Sequence, residues 1–240
     1  MSDLYIFKRY EKKYLISTAQ HAALLRAIRP VMTEERFGLH AICNLYFDND
    51  GFDLIRTSID KPVYKEKLRV RSYGVPGPDD RVFLEIKKKF KKIVYKRRVP
   101  VTLRELEGYL AYGLRPARDD QVMREIDWFM ARYRPYPRAY IAYDRIAYLG
   151  NDDPNLRITF DHDIRFRATQ LDLARGDWGS PVLPKDQVLM EIKIPGSMPL
   201  WLNHILTDLA IFPTSFSKYG TCYQKFLIRE GRDSLCLTAS

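Results

Sequence analysis

Cysteine is scarce in this chain: Cys43, Cys222 and Cys236 are the only three in 240 residues. They are too few and too scattered for a disulfide framework or a zinc site. A reducing, cytoplasmic compartment is the simple expectation. Long apolar runs are missing too. No stretch of about 18 uncharged apolar residues occurs, so no transmembrane helix is expected. The opening "MSDLYIFKRYEKKY" lacks the uninterrupted apolar region of a secretory signal. There is no repeat, no low-complexity tract and no long Gly/Ser linker. "GDWGSPVLPKD" (176–186) is a loop without a nucleotide-binding glycine motif. Histidine is rare as well: His21, His40 and His204 fall in helical or loop contexts, and His162 lies on the apolar face of a strand. None is placed to act as a general base.

Apolar residues make up 46% of the chain, enough for a substantial core in one domain over 1–240, with 229–240 as a tail. The net charge is +10 and the pI about 9.4. That excess is local. Residues 61–98 hold 14 Lys/Arg and 4 Asp/Glu, whereas the remaining residues hold 26 of each. A basic excess confined to one stretch suits an anion-binding surface, or alternatively a solvated face.

Eight segments read as strands: Leu4 to Tyr14, Ala41 to Phe47, 63–73, 81–90, Lys92 to Val101, Arg138 to Leu149, Leu156 to Arg165 and Val188 to Ile194. "YGVPGPDDR" (73–81) is the turn of a hairpin. Helices fill the gaps. Ser17 caps "TAQHAALLRAIRP", Asp50 opens "GFDLIRTSI", and Thr102 with Glu105 forms a capping box for "LRELEGYLAYG". "DQVMREIDWFMARY", "PLWLNHILTDLAIF" and "SFSKYGTCYQKFLIRE" supply three more.

Side chains alternate across a strand, and nearly every strand here pairs an apolar face with a charged one. Arg9, Glu11 and Lys13 share a face. So do Lys65, Lys67, Arg69 and Arg71, and so do Glu85, Lys87 and Lys89. Tyr143 aligns with Arg145; Arg157 and Thr159 align with Asp161 and Asp163; Glu191 aligns with Lys193. Amphipathic helices would cover the apolar faces. The charged faces then either converge inside a closed eight-stranded barrel or form the wet side of an open sheet. Parity alone fits both. Such a mixture suits a polyanion plus a divalent metal, with phosphates for Lys and Arg and the metal for Glu.

In order, "RYEKKY", "NLYFDN", "LRVRSYG", "LEIKKK", "YDRIAY", "LRITFD", "LMEIKI" and "FSKYGTCY" resemble the catalytic domain of vacuolar transporter chaperone (VTC) proteins. These are polyphosphate polymerases of the triphosphate tunnel metalloenzyme superfamily. The resemblance runs from about residue 5 to about residue 228. It implies an α+β fold: a closed antiparallel eight-stranded tunnel, helices outside it and a C-terminal helix near it. It also implies transfer of the ATP γ-phosphate to a growing polyphosphate chain with Mn²⁺ or Mg²⁺. Lys13, Arg69, Arg71, Lys87, Lys96, Tyr143, Arg145 and Arg157 would cradle phosphates, with Ser217 and Lys218 from the terminal helix. Glu191 would bind the metal, with Glu11 or Glu85 as helpers.

The superfamily opens with Glu-x-Glu-x-Lys, whereas this chain has Arg9, Glu11 and Lys13. The exchange adds Arg9 to the phosphate-binding set and fits the polymerase branch better than the hydrolases. Fungal relatives carry an inositol-phosphate sensor domain and membrane helices; neither is found here. The expected partners are ATP and inorganic polyphosphate or triphosphate, not nucleic acid. Alternatives are a tripolyphosphatase or nucleoside triphosphatase of the same fold, and a non-catalytic polyphosphate-binding module. Glu85 could equally be an ion-pair partner, and Asp161 and Asp163 are expected to pair with arginines.

Overall fold

The computed structural model describes residues 10–228 except 92 and 117–119. Arg9, the start of the first expected strand and the tail 229–240 lie outside the described residues. The elements in chain order are β1 (Tyr10–Ser17), α1 (Thr18–Ile28), β2 (Met32–Glu34), β3 (His40–Asp48), α2 (Asp53–Ile59), β4 (Tyr64–Tyr73), β5 (Arg81–Phe90) and β6 (Ile93–Thr102). These are followed by α3 (Leu103–Tyr112), α4 (Gln121–Tyr133), β7 (Tyr136–Gly150), β8 (Arg157–Arg167), β9 (Ser180–Pro181), β10 (Gln187–Ile194), α5 (Leu200–Asp208) and α6 (Lys218–Cys222). A single π turn, Tyr223–Leu227, continues α6.

Two compact units divide these elements. The first comprises 1–40, 143–164 and 183–216; the second comprises 41–142, 165–182 and 217–240. In the first unit, β10 lies between β1 and β8, antiparallel to both, and β2 pairs with the end of β7. The apolar faces of these strands are closed by α1 and α5: Tyr14, Ile16, Ile158, Phe160, Met190 and Ile192 pack against Leu24, Ile28, Leu202 and Leu206. In the second unit, β3, β4, β5 and β6 form an antiparallel meander. Leu45, Phe47, Leu68, Val70, Leu84 and Val99 pack against Leu106 of α3 and Met123, Ile126 and Phe129 of α4. The alternation is visible residue by residue in β4, where Glu66, Leu68, Val70 and Ser72 are buried and the cations between them half-buried.

The fold is therefore sheet-rich, antiparallel and α+β, as expected, but closure is corrected. Among the described residues the sheet has ten strands, and its order is open, with β1 and β6 as the two ends. Closure requires a backbone ladder between the end strands. Instead, the outer edge of β1 is met at Lys13, whose carbonyl accepts from the Thr214 N–H at 2.7 Å. Face parity reports where side chains point and is blind to which edges pair. The two extra strands, β2 and β9, have three and two residues, too short to show a periodicity.

Local chemistry sets the helix ends. Ser17 with Gln20, and Thr102 with Glu105, form reciprocal capping boxes at α1 and α3. Gly113 ends α3 at φ 67°, a left-handed position that costs glycine little. One expectation is corrected: Asp50 does not open α2. Asp48 does so from the end of β3, its two carboxylate oxygens accepting from the N–H groups of Leu54 and Ile55, both at 3.0 Å. Among the described residues, no helix is long and apolar enough to cross a membrane.

Thr102→Ala removes the hydroxyl that accepts from the Glu105 N–H and leaves the Glu105 carboxylate on the backbone N–H of residue 102. It should lower unfolding free energy by about 1 kcal/mol in urea titration, with an unchanged m-value.

Candidate functional site

Each unit carries one charged strand face. In the first unit, Lys13 and Glu191 stand directly opposite each other on β1 and β10, and Glu191 stands opposite Thr159 on β8. These positions are consequences of register, so their side chains share a face. Lys13 Nζ is 3.2 Å from Glu191 Oε1 and 3.8 Å from Glu11 Oε1. The second Glu191 oxygen is 3.6 Å from Arg145 Nη2. The carboxylate is thus held between two cations and is nearly buried.

Arg145 is fixed by a bidentate fork on Asp161, at 2.6 and 2.7 Å, with the carboxylate fully buried. Desolvation favours a neutral guanidine, but Tyr143, Asp161 and Glu191 outweigh it and raise the Arg145 pKa well above its usual value. Tyr143 is buried, its ring centroid 5.1 Å from the Arg145 guanidinium carbon. Arg157 is gripped in the same bidentate way by Glu35, at 2.6 and 2.9 Å. That bond holds the Glu35 carboxyl below its usual range.

Asp161 therefore pairs as expected. Asp163 is exposed rather than aligned on that face, with φ 43°. A left-handed residue inside a strand interrupts the alternation and turns its side chain out. His21 lies on α1 against Phe160 and His162, with ring centroids 4.4 and 4.9 Å away. Burial, then the neighbouring His162, lowers its pKa to about 4, so it is a neutral packing residue near pH 7.

In the second unit, β4 presents Lys65, Lys67, Arg69 and Arg71 on one face. Arg69 lies opposite both Glu85 of β5 and Tyr46 of β3, and Arg71 lies opposite Asn44. Glu85 accepts from Arg69 Nε at 2.8 Å, its Oε2 lies 2.6 Å from Arg69 Nη2, and Arg71 is 3.8 Å away. Burial pushes the Glu85 pKa up, but Arg69 and Arg71 outweigh it and hold the carboxyl below its ordinary range. Tyr46 Oη accepts from Arg69 at 3.1 Å, and Asn44 Oδ1 accepts from Arg71 at 3.2 Å. One step along, Lys67, Lys87 and Lys96 stand in register across β4, β5 and β6. Like charges directly opposite one another are destabilising unless something anionic joins them.

The terminal helix enters this unit through Tyr219. Its ring stacks on Tyr46 at 4.9 Å and its hydroxyl donates to Asp48 at 3.1 Å. Ser217 caps α6, accepting from the Gly220 N–H at 3.2 Å, and Lys218 is buried.

The sequence-derived list is thus split between two clusters. Lys13, Glu11, Glu191, Arg145, Tyr143 and Arg157 lie in the first unit; Arg69, Arg71, Glu85, Lys87, Lys96, Ser217 and Lys218 lie in the second. Sequence reasoning missed Glu35, Asn44, Tyr46 and Asp48. The last three stand within or beside "NLYFDN" (44–49), at alternate positions, and that alternation was the available signal. Glu35 lies 122 residues from Arg157, and no local pattern joins them. Among the described residues, no group of three or more His, Cys, Asp or Glu side chains is gathered around a metal position.

The VTC domain family matches residues 8–227. No curated protein sequence matches the chain. Among solved structures, a candidate adenylate cyclase from Bacillus halodurans aligns with a TM-score of 0.57 at 15% identity, covering 90% of this chain and 95% of that one. HpAC1 from Hippeastrum, a candidate adenylyl cyclase described as having a dominant triphosphatase activity, aligns with a TM-score of 0.52 at 16% identity. That alignment covers 87% of this chain and 92% of the other. Both likenesses are of fold.

Two outcomes follow from the ion pairs. Arg145→Leu leaves Asp161 buried without its cation and should cost about 3–5 kcal/mol, most of it recovered when Asp161→Leu is added; urea unfolding of the single and double variants measures it. Glu35, with its folded pKa lowered, stabilises the fold above the usual glutamate range near about pH 4.3. It loses that contribution as pH falls through its folded pKa. Arg157→Gln should flatten this part of the acid-unfolding profile.

Proposed function

Because the chain belongs to the VTC domain family, we propose that it is an ATP-dependent polyphosphate polymerase, transferring the γ-phosphate of ATP to the end of a growing polyphosphate chain. The observation that carries this reading is the row Lys67, Lys87 and Lys96, opposed across three strands beside Arg69 and Arg71. A polyanion is attracted to that row of positive charge and takes forked hydrogen bonds from the two arginines.

Phosphoryl transfer asks the protein mainly for positioning and for stabilisation of charge on the transferred group. Arg69 and Arg71 are restrained by Glu85, Tyr46 and Asn44, so little side-chain entropy remains to be lost when they grip phosphate oxygens. In the first unit, Arg145 and Arg157 are held equally firmly by Asp161 and Glu35. They present charge without rearrangement, with Lys13 and Tyr143 as further phosphate contacts. Arg9, Ser217 and Lys218 are assigned to the same role. The acceptor is a terminal phosphate, already anionic at neutral pH, so the reaction needs no histidine base.

Mg²⁺ or Mn²⁺ in phosphoryl transfer is held by one or two carboxylates plus substrate phosphates, rather than by an all-protein cage. The residues fit that pattern. Glu191 and Glu11 flank Lys13, and the buried Thr159 hydroxyl, cross-strand from Glu191, has no hydrogen-bond partner among the described residues. These two carboxylates would hold the ion. When bound, it neutralises charge on the transferred phosphate. Glu85, engaged by two arginines, serves to orient them.

Incubation with ATP and Mn²⁺ or Mg²⁺ should yield ADP and an acid-labile polymer resistant to nucleases. ADP with orthophosphate and no polymer would replace the polymerase with a triphosphatase of the same fold. Tight triphosphate binding without turnover would leave a binding module. Glu191→Gln should reduce polymer synthesis by about 10²-fold or more while leaving the thermal midpoint within a few degrees of the parent.

A further inference from the structure

The far end of the β4–β5–β6 meander has a composition that phosphate binding does not explain. Tyr64, Phe90 and Ile93 stand in register across the three strands, followed by Lys65, Lys89 and Val94. Tyr95 belongs to the next row. Val63 joins the same end, its carbonyl accepting from the Lys91 N–H at 3.1 Å. All six apolar side chains are exposed: Val63 at 64%, Ile93 at 52%, Tyr95 at 47%, Phe90 at 45%, Tyr64 at 44% and Val94 at 41%. By alternation Tyr64, Phe90, Ile93 and Tyr95 lie on one face of the meander, and Val94 lies with Lys65 and Lys89 on the other, so this end exposes apolar side chains on both sides. Single exposed apolar residues are ordinary, but a cluster at one end of a sheet marks a surface meant to be covered. Cations ring it. Lys61 and Lys91 are exposed, Lys65 and Lys89 half-buried, and the Lys91 ammonium lies 5.4 Å from the Phe90 ring centroid.

We propose that this end of the meander docks on an anionic lipid surface. Aromatic and aliphatic side chains at a strand end, ringed by lysines, match the two demands of a bilayer interface: apolar contact below the headgroups and positive charge at their level. Tyr64 and Tyr95 have the amphipathic shape that favours that depth. Charge selects the lipid over an apolar protein partner, because the residues around the patch belong to the stretch that holds the chain's whole basic excess. Docking is peripheral: it buries side chains and spans nothing. It is also separable from phosphate binding, since Phe90, Ile93, Val94, Lys61 and Lys91 belong to neither proposed cluster.

The test uses the full chain in co-sedimentation with vesicles of phosphatidylcholine alone and of phosphatidylcholine with phosphatidylserine. The expected result is partitioning to the anionic vesicles only. Phe90→Ser/Ile93→Ser/Val94→Ser should reduce it about tenfold or more, and Lys61→Gln/Lys91→Gln should reduce it severalfold. Triphosphate binding by each variant, measured by calorimetry, should match the parent. If the triple variant does not fold, Ile93→Ser alone carries the apolar arm. Equal vesicle binding by parent and apolar variants would overturn the proposal, since the lysine row alone would then be responsible. Concentration-dependent dimerisation lost in the triple variant, without vesicle binding, would also overturn it and make the patch an interface between copies. Failure of polymer synthesis leaves this result untouched, so the two readings fall separately.

Discussion

A charged strand face can be half-buried only if each cation on it has an anion close by. That constraint organises both units. In the first, Arg145 is forked on Asp161 and reaches toward Glu191, which also meets Lys13. In the second, Glu85 serves Arg69 and Arg71 together. The carboxylates are fewer than the cations and are placed at the arginines, so the arginines become fixed and oriented. In the next row Lys67, Lys87 and Lys96 stand opposite one another. That concentration of positive charge gives the face its capacity for an anion. A fully paired face would be stable and inert, and an unpaired one would resist folding.

Most of this was legible where the signal is short-range. The two capping boxes lie within four residues, and the helices begin where Ser17 and Thr102 direct. Alternation in β4 and β5 is clean because one face meets α3 and α4. In β3 the alternation of Asn44, Tyr46 and Asp48 is present in the sequence, but all three are as buried as Leu45 and Phe47 between them, so it marks no wet face. Asp163 broke its pattern because a positive φ cannot be read from an aspartate in a β-branched neighbourhood. Openness of the sheet was beyond parity, which concerns side chains, whereas edges are a property of backbone.

The pairing of arginines with distant partners was the least legible layer. Glu35 reaches Arg157, and Tyr219 reaches Tyr46 and Asp48, across separations that no local rule covers. Yet these contacts determine how rigidly the cations are held. The family resemblance located the cations, and the coordinates add their supports: a ring against Tyr46, an amide on Arg71, a carboxylate under Arg157. Each support fixes a guanidinium by geometry that charge counting does not see.

The two units also differ in when they can exist. The meander β3 to β6 closes through neighbours in sequence, by two hairpins and the connection through α2, and such local topology forms fast. In the first unit the ladder is long-range: Tyr10 of β1 waits for Ile194 of β10 before it can form. On a chain emerging from the ribosome, the basic meander is complete while β1 still lacks its neighbour. Nascent chains thus pass through a stage in which the cationic strand face of the second unit is folded and that of the first is not. A polyanion present during synthesis would meet the meander first.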